Sequence, residues 1–193
     1  HRPEDFLTMV SGVTYDPAAS CPRWLTFISE VMCGDQQLAS YLQRALGYAL
    51  SGDTTLECLF ILYGATSRNG KGTTMETFLK IMGDYGKTSN PEMLSTKFGN
   101  TNASGPSEEI ARLAGIRFVN ISEPEKKITF NAALVKRLTG NDTINARYLH
   151  ENSFDFKPVF KIFINTNYLP NVSDMTLFDS GRLKIIPFKR HFK

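Results

Sequence analysis

The hydrophobic positions fall into blocks of two kinds, one with helical spacing and one of short continuous runs. From Trp24 the apolar residues Trp24, Phe27, Ile28 and Val31 recur at helical intervals and stop at Gly34, a residue suited to closing a helix. Asp35 then offers a side-chain oxygen to cap a second helix, whose Leu38, Leu42, Ala45, Leu46 and Ala49 line one face before the break at Ser51, Gly52 and Asp53. Residues 58–63 are continuously apolar but too short for a helix, the pattern of a central strand covered on both faces. A glycine-rich turn follows, and Met75, Phe78, Leu79 and Met82 return to helical spacing up to Gly83.

Beyond that helix the pattern changes and then repeats. Residues 95–107 are polar and rich in Asn, Ser, Thr and Gly, which predicts a long surface loop. Ser107, Glu108 and Glu109 open a short helix, and residues 117–122 form a second buried-type strand that runs into an acidic segment. Phe130, Leu134 and Leu138 share a helical face closed by Gly140, and the short alternating stretches 144–147 and 154–156 predict a hairpin around residues 150–153. Residues 161–165 are a third core strand. Residues 183–187 are a fourth, placed near a sheet edge because Pro187 has no N–H to donate. Strands alternating with helices predict an α/β layered core over residues 55–193, preceded by a small helical subdomain over residues 1–54.

Composition narrows the classes without choosing among them. With 193 residues, 41% hydrophobic and 21% charged, the chain has the make-up of a globular protein, and no apolar run approaches the roughly 20 residues of a membrane helix. A net charge of +3 is too small to argue by itself for a polyanion partner. Cys21, Cys33 and Cys58 show no C-x-x-C spacing, so neither a disulfide framework nor a zinc site is expected, and a reducing cytoplasm is. Because the first residue is His1 and no signal-peptide pattern follows, the sequence reads as a piece of a longer chain.

The chemistry concentrates after the first strand. Residues 64–73 lie between strand and helix, the setting a phosphate-binding loop requires. There Gly70 allows backbone amides to approach phosphate oxygens, and Lys71 reaches the terminal phosphates. Ala65, Asn69, Gly70, Lys71, Gly72, Thr73 and Thr74 are the expected nucleotide contacts. Two positions depart from the usual pattern: Ala65 stands where the first glycine is expected, one residue after Gly64, and Gly72 replaces the hydroxyl after the lysine, leaving Thr73 or Thr74 for Mg2+. Glu123 and Glu125 follow the second core strand, where a carboxylate would hold the cation or polarise water. Asn165 and Asn167 end the third strand, where an amide can touch both a γ-phosphate and the attacking water. Arg182, before the last strand, reads either as a surface ion-pair residue or as an arginine reaching a neighbouring subunit's nucleotide. Arg147, Tyr148, His150 and Lys157 flank the predicted hairpin turn, a cationic and aromatic surface of the kind that follows a phosphodiester backbone, with Lys136 and Arg137 on the preceding helix.

The stretches Ala65-Thr-Ser-Arg-Asn-Gly-Lys-Gly-Thr73, Phe118-Val-Asn-Ile-Ser-Glu123, Lys136-Arg-Leu-Thr-Gly-Asn-Asp-Thr-Ile-Asn-Ala-Arg147, Asn165-Thr-Asn-Tyr-Leu-Pro170 and Gly181-Arg-Leu-Lys-Ile-Ile-Pro-Phe188 together resemble the successive motifs of superfamily 3 helicases, in particular the helicase part of phage and plasmid primase-helicases. The resemblance spans residues 22–188 and implies an AAA+-type P-loop ATPase with a three-layer α/β/α core. It further implies a ring, usually hexameric, in the host cytoplasm, that uses ATP and Mg2+ to move on single-stranded DNA. In its terms Lys71 binds the β- and γ-phosphates, Thr73 and Glu123 serve the metal, Asn167 senses the γ-phosphate, and Arg182 is the arginine finger for the adjacent subunit. The segment 136–157 corresponds to the DNA-contacting hairpin. Two rival readings remain open: a nucleotide-dependent DNA-binding or scaffold module without useful turnover, and a nucleoside monophosphate kinase. The kinase would recruit Arg112, Arg117, Arg137 and Arg147 around its acceptor.

Overall fold

The structure, a computed structural model, describes residues 2–96, 108–122 and 128–193. Glu123, Glu125 and all but the first two residues of the expected 95–107 loop lie outside the described residues. Helix α1 (Pro22–Val31) begins at a proline whose missing N–H costs nothing in a first turn, and α2 (Gln36–Leu50) is capped by Asp35, whose Oδ1 accepts from the Leu38 N–H at 2.9 Å. Strand β1 (Leu59–Tyr63) leads through the glycine-rich turn into α3 (Lys71–Met82). There follow β2 (Gly86–Ser89), α4 (Glu108–Ala111), β3 (Phe118–Ser122) and α5 (Ala132–Thr139), capped by Asn131. Strands β4 (Ile144–Ala146) and β5 (Phe154–Phe156) pair antiparallel as the predicted hairpin. Strand β6 (Lys161–Thr166), helix α6 (Thr176–Asp179) and β7 (Leu183–Pro187) complete the described strands and α-helices.

Among the described residues β2, β3, β6, β1 and β7 form one sheet in that order, every pair parallel. Parallel strands need both faces covered, and alternation sends successive side chains to opposite sides. Phe60, Leu62, Phe118, Phe163 and Ile186 point to one face, where they pack with Met75, Phe78 and Met82 of α3 and with Val31, Leu42, Ala45, Leu46 and Ala49 of α1 and α2. Phe163 stacks on Phe60 at 4.7 Å between ring centroids, and Phe118 meets Phe78 edge-on at 4.9 Å. Leu59, Ile61, Val119, Ile121, Ile162 and Ile164 point to the other face, covered by Leu134, Val135 and Leu138 of α5, Leu177 of α6 and Ile110 of α4. The fold is a three-layer α/β/α sandwich of the P-loop NTPase kind. The expected boundary at residues 54 and 55 falls between α2 and β1, and both helices share a core with the sheet.

β7 occupies the sheet edge expected from Pro187. The pattern did not predict β2, whose Gly86-Lys-Thr-Ser sequence has no apolar run, nor α6, which is a single turn. β2 is held by its register with β3, Gly86 opposite Phe118 and Ser89 opposite Ile121.

At the amino-terminal end of the sheet Lys161 is almost completely buried, 2% exposed. Its ammonium donates to the Ser51 carbonyl and, at 3.2 Å, to the Val159 carbonyl, and lies 4.6 Å from the centre of the Tyr48 ring. Burial lowers its pKa from 10.5 to about 8. Between those values the unfolded chain binds the additional proton, so this group makes the fold more stable as pH rises from about 8 to about 10.5. Urea midpoints at pH 7.5 and 10 are expected to show this gain in the wild type relative to Lys161→Met. An equal pH response in the two proteins would contradict it.

Candidate nucleotide site

β1 lies inside the sheet between β6 and β7, and its carboxyl end delivers the chain to Gly64. A Cβ on Gly64 would overlap the Asn69 side-chain amide and stand 2.7 Å from the Phe188 carbonyl oxygen, so this position requires glycine. Ala65, by contrast, is exposed. The steric duty of the loop's first glycine therefore falls on Gly64, one residue before the position expected from motif counting. Gly70 ends the loop at φ +87°, with Val31 and the Phe27 ring packed directly beneath it, and Arg68 is also left-handed at φ +54°.

Asn69 staples this loop from within. Its side chain is buried; Nδ2 donates to the Thr66 carbonyl at 2.5 Å, and Oδ1 accepts from Lys71 Nζ at 3.0 Å. Among the described residues the backbone N–H groups of Ala65 to Gly70 donate to no acceptor. A run of successive amides without internal partners at a helix amino terminus is a cradle for an anion.

Lys71 opens α3 and is only 3% exposed. Its ammonium donates to Asn167 Oδ1 at 2.8 Å, to Asn69 Oδ1, and to the Gly64 carbonyl at 3.4 Å. The bond to Asn167 joins positions 96 residues apart because β6 is the immediate neighbour of β1. Thr166 Oγ1 donates to the Tyr168 carbonyl at 2.8 Å and accepts the Tyr168 N–H at 3.0 Å, a turn that fixes the backbone around Asn167. Asn165, two residues earlier, faces the first turn of α3; its Nδ2 lies 4.0 Å from where a Cβ on Gly72 would stand. Its Oδ1 is buried without a hydrogen-bond partner, an orphan acceptor beside the phosphate loop.

The two threonines separate cleanly. Thr74 is fully buried and its hydroxyl donates to the Gly70 carbonyl at 2.9 Å, so it serves the helix and not a ligand. Thr73 is exposed on the first turn. Of the two hydroxyls expected to serve a divalent cation, the exposed one at Thr73 is the one that fits that role.

Other expected site residues lie elsewhere. Arg182 precedes β7 at the amino-terminal end of the sheet, where its carbonyl accepts the Leu59 N–H, a strand's length of roughly 15 Å from the phosphate loop. Its guanidinium makes an ion pair with Glu57 at 2.5 Å and donates to Thr139 Oγ1 at 2.9 Å. Lys136 pairs with Asp174 at 2.8 Å, and that hydrogen bond, with help from Thr176, holds the Asp174 carboxyl at about 2. Tyr148 is half-buried, stacked on Phe154 and donating its hydroxyl to the Ala111 carbonyl at 3.2 Å, so it anchors the hairpin from below. His150, at φ +64°, and Lys157 are exposed, Arg147 is half-buried, and Leu149 at the turn is 55% exposed.

A buried lysine beneath a glycine-bounded loop, at the end of an interior strand of a parallel sheet, defines the P-loop class of nucleotide-binding fold. Residues 62–182 match the Family of unknown function DUF5906, and the chain belongs to that family. It is 34% identical over 158 residues to "Putative helicase L207/L206" of Acanthamoeba polyphaga mimivirus, an alignment covering 82% of this chain and 16% of that protein. It is 29% identical over 174 residues to "Putative helicase 022R" of Frog virus 3 (isolate Goorha), covering 88% and 18% respectively. The chain thus spans less than a fifth of the length of either relative. Among solved structures it is similar to the NrS-1 C-terminal region, with a TM-score of 0.70 at 14% identity over 95% of this chain and 42% of that one. It is also similar to JCV helicase, with a TM-score of 0.51 at 16% identity over 89% and 46%. At such identities the likeness is one of fold.

Proposed function

We propose that the chain is the ATPase domain of a superfamily 3 helicase of the AAA+ type, like that of phage and plasmid primase-helicases, which hydrolyses ATP between subunits to move on single-stranded DNA. The observation that carries this reading is the direct bond from Lys71 to Asn167, with the unpaired amides of the loop beside it. The names of the viral relatives support the nucleic-acid motor; the ring, usually a hexamer, and the host cytoplasm come from the motif resemblance. Among the described residues no helix is long and apolar enough to cross a membrane.

In this mechanism the amides of residues 65–70 and Lys71 hold the β- and γ-phosphates, and Thr73 with Glu123 would hold Mg2+, which would neutralise phosphate charge. Nucleotide entry exchanges the Gly64, Asn69 and Asn167 oxygens on the Lys71 ammonium for phosphate oxygens. That exchange releases the Asn167 amide to read the γ-phosphate and the attacking water. Arg182 cannot reach its own subunit's loop and serves the adjacent subunit after leaving Glu57. The kinase alternative is disfavoured by Arg117, which stacks 4.3 Å from the Tyr85 ring centre and donates to the Leu50 carbonyl, away from Lys71.

The deciding experiment is the steady-state ATPase rate with and without single-stranded DNA, at a concentration that favours assembly. DNA stimulation is expected, with a loss of at least about 100-fold in Lys71→Ala. Assembled rings without turnover would favour the non-motor DNA-binding module instead.

For the arginine, Arg182→Ala is expected to bind ATP yet lose roughly 10³-fold in hydrolysis. Mixing it with Lys71→Ala should restore part of the rate at mixed interfaces, and no rescue in demonstrably mixed assemblies would refute action in trans. For the hairpin, Arg147→Ala with Lys157→Ala should weaken single-strand binding and flatten its salt dependence by about 0.7 in log–log slope per lost phosphate contact. An unchanged slope would remove these two residues from the DNA path.

A further inference from the structure

The chain after β7 turns back along the phosphate loop. The Phe188 N–H donates to the Tyr63 carbonyl at 2.6 Å, and the Phe188 carbonyl abuts Gly64. Three residues on, His191 Nδ1 lies 3.0 Å from the Ser67 carbonyl, and the Phe192 N–H donates to the Arg68 carbonyl at 2.8 Å. A carbonyl only accepts, so Nδ1 carries the hydrogen. The Phe192 ring is half-buried against the α3-side core, and the Arg190 guanidinium lies 5.4 Å from its centre. The strap is therefore anchored at Phe188 and Phe192, with His191 between them.

A trans peptide is planar, and its N–H points opposite to its C=O. The Ser67 carbonyl shares a peptide with the Arg68 N–H, and the Arg68 carbonyl shares one with the Asn69 N–H. Holding both carbonyls toward the strap turns those two amides away from it, and neither amide has a protein acceptor among the described residues. The hydrogen bonds also polarise the two peptides and make their N–H groups better donors. Arg68 sits between them in the left-handed region, a conformation a non-glycine residue keeps only when its surroundings impose it.

We propose that residues 188–192 are a brace that holds the phosphate loop in its anion-accepting shape, with His191 as a positioning residue acting through the Ser67 carbonyl. This rests on the phosphate-loop reading of residues 64–73. The brace acts on ground-state binding of the triphosphate, and chemistry at saturation is left to Lys71, Asn167 and the metal ligands.

The test is the Kd of N-methylanthraniloyl-ATP with Mg2+ for the full chain, beside kcat and KM for ATP. His191→Ala is expected to raise Kd and KM roughly 3- to 10-fold, the scale of one lost hydrogen bond, with kcat changed less than about 2-fold. His191→Asn, whose amide N–H can reach the same carbonyl, should recover most of the affinity. Because the His191 side chain is exposed, the melting temperature should not move in either variant. Wild-type affinity in His191→Ala, with binding lost in Lys71→Ala, would overturn the brace while leaving the nucleotide site in place. Equal losses in the Ala and Asn variants, or a fall in melting temperature that accounts for the loss, would also overturn it. A wild-type chain that binds no nucleotide would overturn the phosphate-loop reading, and the brace with it.

Discussion

A positive charge kept out of water must be surrounded by oxygen atoms, and the Lys71 ammonium meets that demand only where two parallel strands end side by side. β1 supplies the loop with its Gly64 carbonyl and Asn69 amide, and β6 supplies Asn167. The contact exists because Leu62 and Tyr63 lie in register with Asn165 and Thr166. That register depends in turn on two apolar faces: a slip by one residue would send Phe60 and Leu62 to the α5 side and Leu59 and Ile61 to the α3 side. The site's geometry is thus set by aromatic packing well below it, in which Phe163 touches both Phe60 and Phe118.

The two ends of the sheet carry different kinds of charge. At the carboxyl end, among the described residues, Lys71 meets amide and carbonyl oxygens, with N–H groups beside them that find no acceptor there, an arrangement that suits an anion. At the amino end the cations are already satisfied: Arg182 by Glu57 and Thr139, Arg117 by Tyr85 and the Leu50 carbonyl, Lys161 by the carbonyls of Ser51 and Val159. Within one chain the phosphate loop and these paired cations are separated by the length of a strand.

Much of this was legible in the sequence because it obeys local rules. Continuous apolar runs marked β1, β3, β6 and β7; Asp35 marked the start of α2; and the strand, turn, helix order marked the phosphate loop. What escaped depends on neighbours distant along the chain. β2 is polar and is a strand only because β3 offers it hydrogen bonds. Gly64 outranks Ala65 because of Asn69 and of Phe188, just after a strand that returns much later. The choice between Thr73 and Thr74 turned on which hydroxyl bonds back to Gly70, a matter of helix phase that composition does not express. Arg182 showed its position but not its partner Glu57, 125 residues away. Tyr148 looked like a stacking surface for bases, yet its hydroxyl and ring are already engaged by Ala111 and Phe154.

The floor beneath Gly70 has a mechanical meaning. The left-handed glycine rests on Val31 and the Phe27 ring so closely that even one methyl group would not fit between loop and helix. Close-packed interiors transmit displacement and do not absorb it. α1 and the last turn of the loop therefore behave as a single lever. A tilt of that helix, whatever pushes on it, changes the room available at the glycine, and filling the loop presses back on the helix.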